Sequence, residues 1–286
     1  MARVAVVTDS TACLPPEEIE RYGIEVVPVN LVHEGRVYRD GVDISPEEFY
    51  QLLEKAKKVP TTSPASPGDY LRVFQRLGEK ADAILCITVV ARLSAMYDSA
   101  RAAMEAARET MPHTLIQVLD SGTAAMAQGF IVLAATRAAA LGKDLQGVVA
   151  AAQRVKSRVD LVAVLDTLTY LARGGRVPKV AAWTSSLLQV KPILSIKDGE
   201  VRLVERARTK KKAVSRLLEI MKDRVAGQRP LRAAVFHAHA QEEALSLRDQ
   251  VVQAFQPEEL YVTQFTPVMG VHTGPGLVGL AFYTGE

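Results

Sequence analysis

The 286-residue chain is 48% hydrophobic but only 6% aromatic, enough Ala, Val, Leu and Ile to bury a large core, and its length fits two ordinary domains or one large one. A formal charge of +3 is too near balance for a nucleic-acid or membrane-surface protein, and two cysteines, Cys13 and Cys86, make no disulfide framework. No apolar run is long enough to span a bilayer and no signal-peptide pattern stands at the N-terminus, so a soluble cytoplasmic protein is expected.

In chain order, Val4–Val7 is a β-branched run that ends in Thr8-Asp9-Ser10-Thr11, a strand feeding a polar loop. Pro15-Pro16-Glu17-Glu18 starts a helix, and 24–29 is a second strand. Residues 31–40 form a small hairpin excursion around His33-Glu34-Gly35. Ser45 and Glu48 make a capping box for a helix over 46–55. The segment 59–67 holds three prolines and is excluded from any helix interior. Strands follow at 83–88 and 114–119, each succeeded by Ala-rich helices, up to about residue 110 and over 124–141 and 145–157. This alternation predicts a parallel sheet with crossover helices over 1–158. Beyond that point hairpins and longer connections dominate, with strands near 159–165, 191–196, 201–204, 231–237, 260–265 and 277–283. Thr209 caps a helix to about 225 and another runs over 241–255, so residues 159–286 are read as an α+β domain with a mixed or antiparallel sheet.

Ligands of open α/β sheets bind beyond the carboxyl ends of the strands. The loops read there carry short hydroxyls: Ser10 and Thr11, Thr61, Thr62 and Ser63, Ser94, and Asp120-Ser121-Gly122. Each alone reads first as a cap or turn residue. Ser10, Thr62 and Ser94 together suit a buried carboxylate or phosphate held by neutral donors. No serine sits in a Gly-x-Ser-x-Gly elbow, and no P-loop or dinucleotide fingerprint is present. His237 and His239 lack further ligands at metal spacing, and Lys210-Lys211-Lys212 reads as a solvated helix face. No metal or cofactor is expected.

Two further segments stand out. Gly270-Val271-His272-Thr273-Gly274-Pro275-Gly276 sets one imidazole on a glycine-rich loop, where His272 reads first as a solvated turn residue. Tyr170-Leu171-Ala172-Arg173-Gly174-Gly175-Arg176 brackets a glycine pair with two guanidinium groups that can face an anion, or simply mark a surface turn.

Taken in order, these loops resemble the DegV family of fatty-acid-binding proteins, acyl carriers for a bacterial fatty acid kinase. The motifs are Thr8-Asp9-Ser10, Thr62-Ser63, Leu93-Ser94 with Tyr97 and Ser99-Ala100, Asp120-Ser121, the Tyr170–Arg176 segment, Lys191-Pro192-Ile193-Leu194, and His272-x-Gly274-Pro275-Gly276. Singly weak, they are specific as a series along the whole chain. The resemblance implies two α/β domains with a long-chain fatty acid such as palmitate or stearate between them. Its carboxylate is held by Thr62 and Ser94 with Thr61 and His272 nearby. It also implies a separate ATP-dependent kinase that forms the acyl phosphate, with Arg173 and His272 supporting phosphoryl transfer, and transient exchange with membranes. Ser10, Ser121 and Gly274 complete the candidate ligand-binding set, and no catalytic residue is assigned. The chain departs from the family at Ala95-Met96, where Gly-Thr is usual, and Met96 is read as reshaping the tunnel entrance. The alternative is an enzyme using His272 and Arg173 on a small carboxylated or phosphorylated metabolite, in a small polar pocket.

Overall fold

Val and Ile runs in the first half alternate with Ala-rich segments, and both periods form the elements they predict. The computed structural model describes residues 3–180 and 190–285. Strands β1 (Val4–Asp9), β2 (Glu25–Val27), β6 (Ala83–Thr88) and β7 (Leu115–Asp120) pair in parallel in the order β2-β1-β6-β7. Every residue of β6 is buried, as a central parallel strand covered on both faces requires. Helices α1 (Pro16–Tyr22), α3 (Pro67–Gly78), α4 (Met96–Thr110), α5 (Ala125–Ala140) and α6 (Leu145–Lys156) accompany this sheet. Apolar on nearly every side, α5 packs against β1 and β6 and also against strands of the second sheet.

That second sheet has six strands: β8 (Asp160–Val164), β9 (Lys191–Lys197), β10 (Glu200–Ala207), β11 (Leu231–Ala238), β12 (Glu259–Gln264) and β13 (Leu277–Thr284). Their order is β10-β9-β8-β13-β11-β12, antiparallel throughout except for the parallel β11-β12 pair. Helices α8 (Lys210–Val225) and α9 (Gln241–Phe255) cover one face, their Leu217 and Leu247 sharing a core with Val162, Val164, Val235 and Leu280 of the sheet. The other face, with Leu161, Ala163, Phe236 and Ala281, joins the core of the parallel sheet. The alternation of side chains along each strand produces this division. The fold is α/β, with a parallel four-stranded sheet and a separate mixed sheet.

A third, antiparallel sheet has the order β4-β3-β5, from β3 (Asn30–His33), β4 (Arg36–Arg39) and β5 (Thr61–Ser63). The hairpin over 31–40 therefore exists, and helix α2 (Pro46–Lys55) starts with the Ser45–Glu48 capping box. Thr61–Ser63, expected as a loop at the edge of the parallel sheet, is instead the third strand here. Leu31 pairs with Thr62, and β3 offers a free edge that a proline-flanked extended segment can occupy.

Three helices among the described residues were not expected. α3 starts directly after the proline-rich segment, with Pro67 at its first turn and a second capping box from Ser66 and Asp69. α7 (Thr169–Gly174) occupies what was read as a surface turn. α10 (Pro267–Thr273) takes up most of the glycine-rich segment, so His272 stands in the last turn of a helix and not on a loop. Lys210 is also not on a solvated face. Its ammonium is held by Asp166 Oδ1 at 2.9 Å and Glu243 Oε2 at 3.1 Å, and it bonds the Gly276 carbonyl.

Candidate functional site

Between the parallel sheet and the mixed sheet lies a cavity of about 440 Å³. One wall comes from residues just beyond the parallel strands: Val29, Val89, Ala91, Leu93, and Ala124 and Ala125 at the start of α5. The opposite wall is the inner face of the mixed sheet, with Leu161, Ala163, Leu165, Leu194, Ile196 and Phe236. Phe265 closes the interior, stacked on Phe236 with ring centroids 5.2 Å apart. Among the polar residues on the lining, Thr62, Arg176 and His272 are joined to one another, and Thr11, Ser63, Arg92, Ser94, Asp98, Ser195 and Thr273 line the cavity as well.

The sharpest contact among them joins strand β5 to helix α10. Thr62 Oγ1 and His272 Nε2 share a hydrogen bond of 3.0 Å, with the donor set by the imidazole tautomer. Burial, then the Arg176 guanidinium, pushes the His272 pKa down to about 4, so the ring is neutral at pH 7. Its other nitrogen, Nδ1, is buried without a hydrogen-bond partner among the described residues. A Cβ placed on Gly174 would stand 2.6 Å from Nδ1, so a glycine there lets α7 approach the ring. Arg176 ties α7 to β5, donating to the Gly174 carbonyl at 2.7 Å and the Thr62 carbonyl at 3.3 Å. Ser94 accepts weakly from Met96 N at 3.4 Å and stands on the wall. This part of the lining thus combines the Thr62 hydroxyl, a neutral imidazole and one fixed guanidinium, a set that can donate to a carboxylate or phosphate.

Thr62 and His272 are brought together and Ser94 also lines the cavity; the other candidates are not on its lining. Ser10 accepts from Val29 N at 3.1 Å, serving the backbone next to the cavity. Ser121 bonds both the amide and the carbonyl of Thr123, a local turn. Thr61 is exposed, because alternation along β5 turns it away from its neighbour Thr62. Gly274, at φ 69°, packs under the Tyr170 ring, which would collide with any side chain there. Arg173 is exposed and has no hydrogen-bond or ion-pair partner among the described residues. Met96 does not shape an entrance: it is fully buried, and its sulfur accepts from Ala65 N at 3.1 Å. Arg176, read from the sequence as one of two guanidinium groups that can face an anion but left out of the ligand-binding set, is the one of the two that lines the cavity.

His237 and His239 do not form a pair: the Nδ1 of His237 accepts from Ala240 N at 3.3 Å, while the His239 ring stacks on Tyr50. Among the described residues no group of three metal-ligating side chains occurs, and no helix is long and apolar enough to cross a membrane.

Parallel, mixed and hairpin sheets around an apolar cavity with the Thr62–His272 contact on its wall define an α/β protein of a recognisable build. The chain belongs to the DegV family, whose model, described as an uncharacterised protein of the DegV family, matches residues 3–285. A DegV domain-containing protein of Streptomyces coelicolor is 39% identical over 280 residues, covering 97% of each chain. Among solved structures, a DegV family protein from Thermus thermophilus described for its fatty acid binding is 33% identical with a TM-score of 0.92, covering 99% of each chain. DegV from Bacillus subtilis, described as a fatty acid binding protein, is 31% identical with a TM-score of 0.90 and full coverage of both chains.

Proposed function

We propose that this protein is a carrier for a long-chain fatty acid. The acyl chain lies in the cavity between the sheets, and the carboxylate sits at the wall lined by Thr62, Ser94 and His272. The observation that carries the reading is one cavity lined mainly by Leu, Ala, Val, Ile and Phe, with the joined Thr62, His272 and Arg176 side chains on its wall. The fatty acid binding described for the Thermus and Bacillus relatives supports it. Each buried methylene contributes about 0.8 kcal/mol, so a chain of about fifteen offers on the order of 12 kcal/mol before the costs of ordering. The headgroup then needs only orientation, which neutral donors supply. An enzyme acting on a small polar metabolite fits these apolar walls less well.

In this reading the carboxylate is a substrate for a separate ATP-dependent kinase. Arg176, fixed between Gly174 and Thr62, holds a positive charge at the headgroup, and Arg173, which is exposed, meets the incoming phosphoryl group in this reading. The two halves, divided near residue 158, act as the two sides of the cavity.

Titration with palmitate tests the carrier reading, with Thr62→Val as the informative variant. It removes a hydroxyl at the headgroup and keeps the side-chain volume, so affinity is expected to fall about tenfold, the value of roughly one hydrogen bond to a charged group. Saturable palmitate binding unaffected by Thr62→Val removes this residue from the headgroup site. No binding to the wild-type protein defeats the reading.

A further inference from the structure

Asp40 is a buried carboxylate, 2% exposed, that the headgroup chemistry does not use. It directly follows β4, and its own amide donates to Val29 O at 2.9 Å, so its backbone is tied to the three-stranded sheet. Its Oδ1 accepts from Val268 N at 3.0 Å, across 228 residues of sequence. Val268 lies in the first turn of α10, where the N-cap residue Thr266 makes no side-chain cap of its own. The side chain of a distant hairpin thus satisfies an amide that a local cap would otherwise serve.

The geometry makes this more than a cap. Val268 and His272 are four residues apart, on one face of α10 and about 6 Å apart along its axis. His272 is held at the other end by Thr62, on β5 of the same three-stranded sheet. One sheet therefore grips one short helix at two points, Asp40 to Val268 and Thr62 to His272. Between them Phe49 and Tyr50 of α2 pack against the helix at Gly270. A seven-residue helix has little stability of its own, so its position depends on such tertiary contacts. The other carboxylate oxygen, Oδ2, is buried without a hydrogen-bond partner among the described residues, beside the hydroxyls of Ser10 and Thr266. A carboxylate kept there at the cost of desolvation is explained by the amide it holds.

We propose that Asp40 is a positioning residue for the headgroup site, holding α10 through the Val268 amide so that His272 meets Thr62 and the bound carboxylate. This rests on the carrier reading for its ligand, but not for its geometry.

The test compares Asp40→Ala and Asp40→Asn with wild type in two measurements on the full-length protein. The first is the ratio of affinities for palmitate and for hexadecanol, which share the apolar tail and differ at the head. Asp40→Ala is expected to lower the ratio about tenfold by weakening palmitate alone, while Asp40→Asn, which keeps an oxygen for the Val268 amide, restores it to within about twofold. The second is an NMR titration of the His272 ring without lipid. Asp40→Ala is expected to move its pKa from about 4 towards the ordinary value of 6.5, and Asp40→Asn to leave it depressed. If Asp40→Ala does not fold, Asp40→Val, which fills the space without an acceptor, takes its place in both measurements. An unchanged ratio, an equal loss for both ligands, or an unmoved His272 titration overturns the proposal. If wild type binds neither palmitate nor hexadecanol, the carrier reading fails, and the His272 titration still decides the role of Asp40.

Discussion

Asp9→Ala is expected to destabilise the protein by about 3–5 kcal/mol, more than any other single polar substitution discussed here, because it leaves several buried donors without acceptors at once. Asp9 is fully buried at the end of β1. Its Oδ1 accepts from Thr11 N at 3.1 Å and from the Thr11 hydroxyl, with Gln128 Nε2 at 3.3 Å, while Oδ2 accepts from Val89 N at 2.7 Å. Both oxygens therefore face backbone amides. Asparagine cannot satisfy them both, since one of its two terminal atoms is a donor, so Asp9→Asn is expected to cost about 1–3 kcal/mol despite its matching shape. Val89 opens the segment that leads to Ser94, so palmitate affinity should fall in the asparagine variant as well. Urea unfolding of the three proteins checks the order. Asp9→Asn as stable as wild type would show that the network does not depend on paired acceptors.

The second large effect concerns pH. The folded protein holds His272 neutral down to about pH 4, whereas a free imidazole titrates near 6.5. As pH falls through this window the unfolded chain takes up a proton that the folded chain refuses, so stability falls with falling pH and the loss is complete only below about 4. Asp9 and Asp40 act in the opposite sense, since burial raises both carboxyl values, but they are common to any pair of variants that differ only at His272. Against His272→Gln, wild type should therefore lose about 2–3 kcal/mol between pH 7 and pH 4, allowing for the ring's residual exposure. Parallel stability curves for the two proteins would mean that the ring is not desolvated.

Much of the fold was legible locally. β6 spans the residues 83–88 read as a strand from the sequence, and the helices over Pro46–Lys55 and Lys210–Val225 start directly after the residues whose side chains cap them. Those signals are carried by near neighbours in sequence. The features that escaped depend on distant partners. Glycines in 270–276 suggest a loop, yet α10 is held by Asp40, Thr62 and the α2 aromatics, all more than 200 residues away in sequence. Thr61–Ser63 became a strand because β3 offered an edge, which no local pattern declares. Ser66-Pro67 with Asp69 was a readable helix start, hidden behind the prolines that precede it.

The candidate site divides in the same way. Hydroxyls, an imidazole and paired arginines could be listed from the sequence, but not which of them share a wall. Strand alternation separates Thr62 from Thr61, and local turn bonding accounts for Ser121. Arg176 takes its place because its guanidinium ties the Gly174 and Thr62 carbonyls together, a contact between segments more than 100 residues apart.

The central claim is that the cavity between the two sheets holds a long acyl chain by its walls and a carboxylate beside Thr62 and His272. Gentle purification followed by lipid extraction and mass spectrometry, repeated after incubation with added palmitate, tests it most directly. The account predicts a long-chain fatty acid at up to one equivalent per chain, present on isolation or taken up on addition. Protein that carries no fatty acid and takes up none would contradict it.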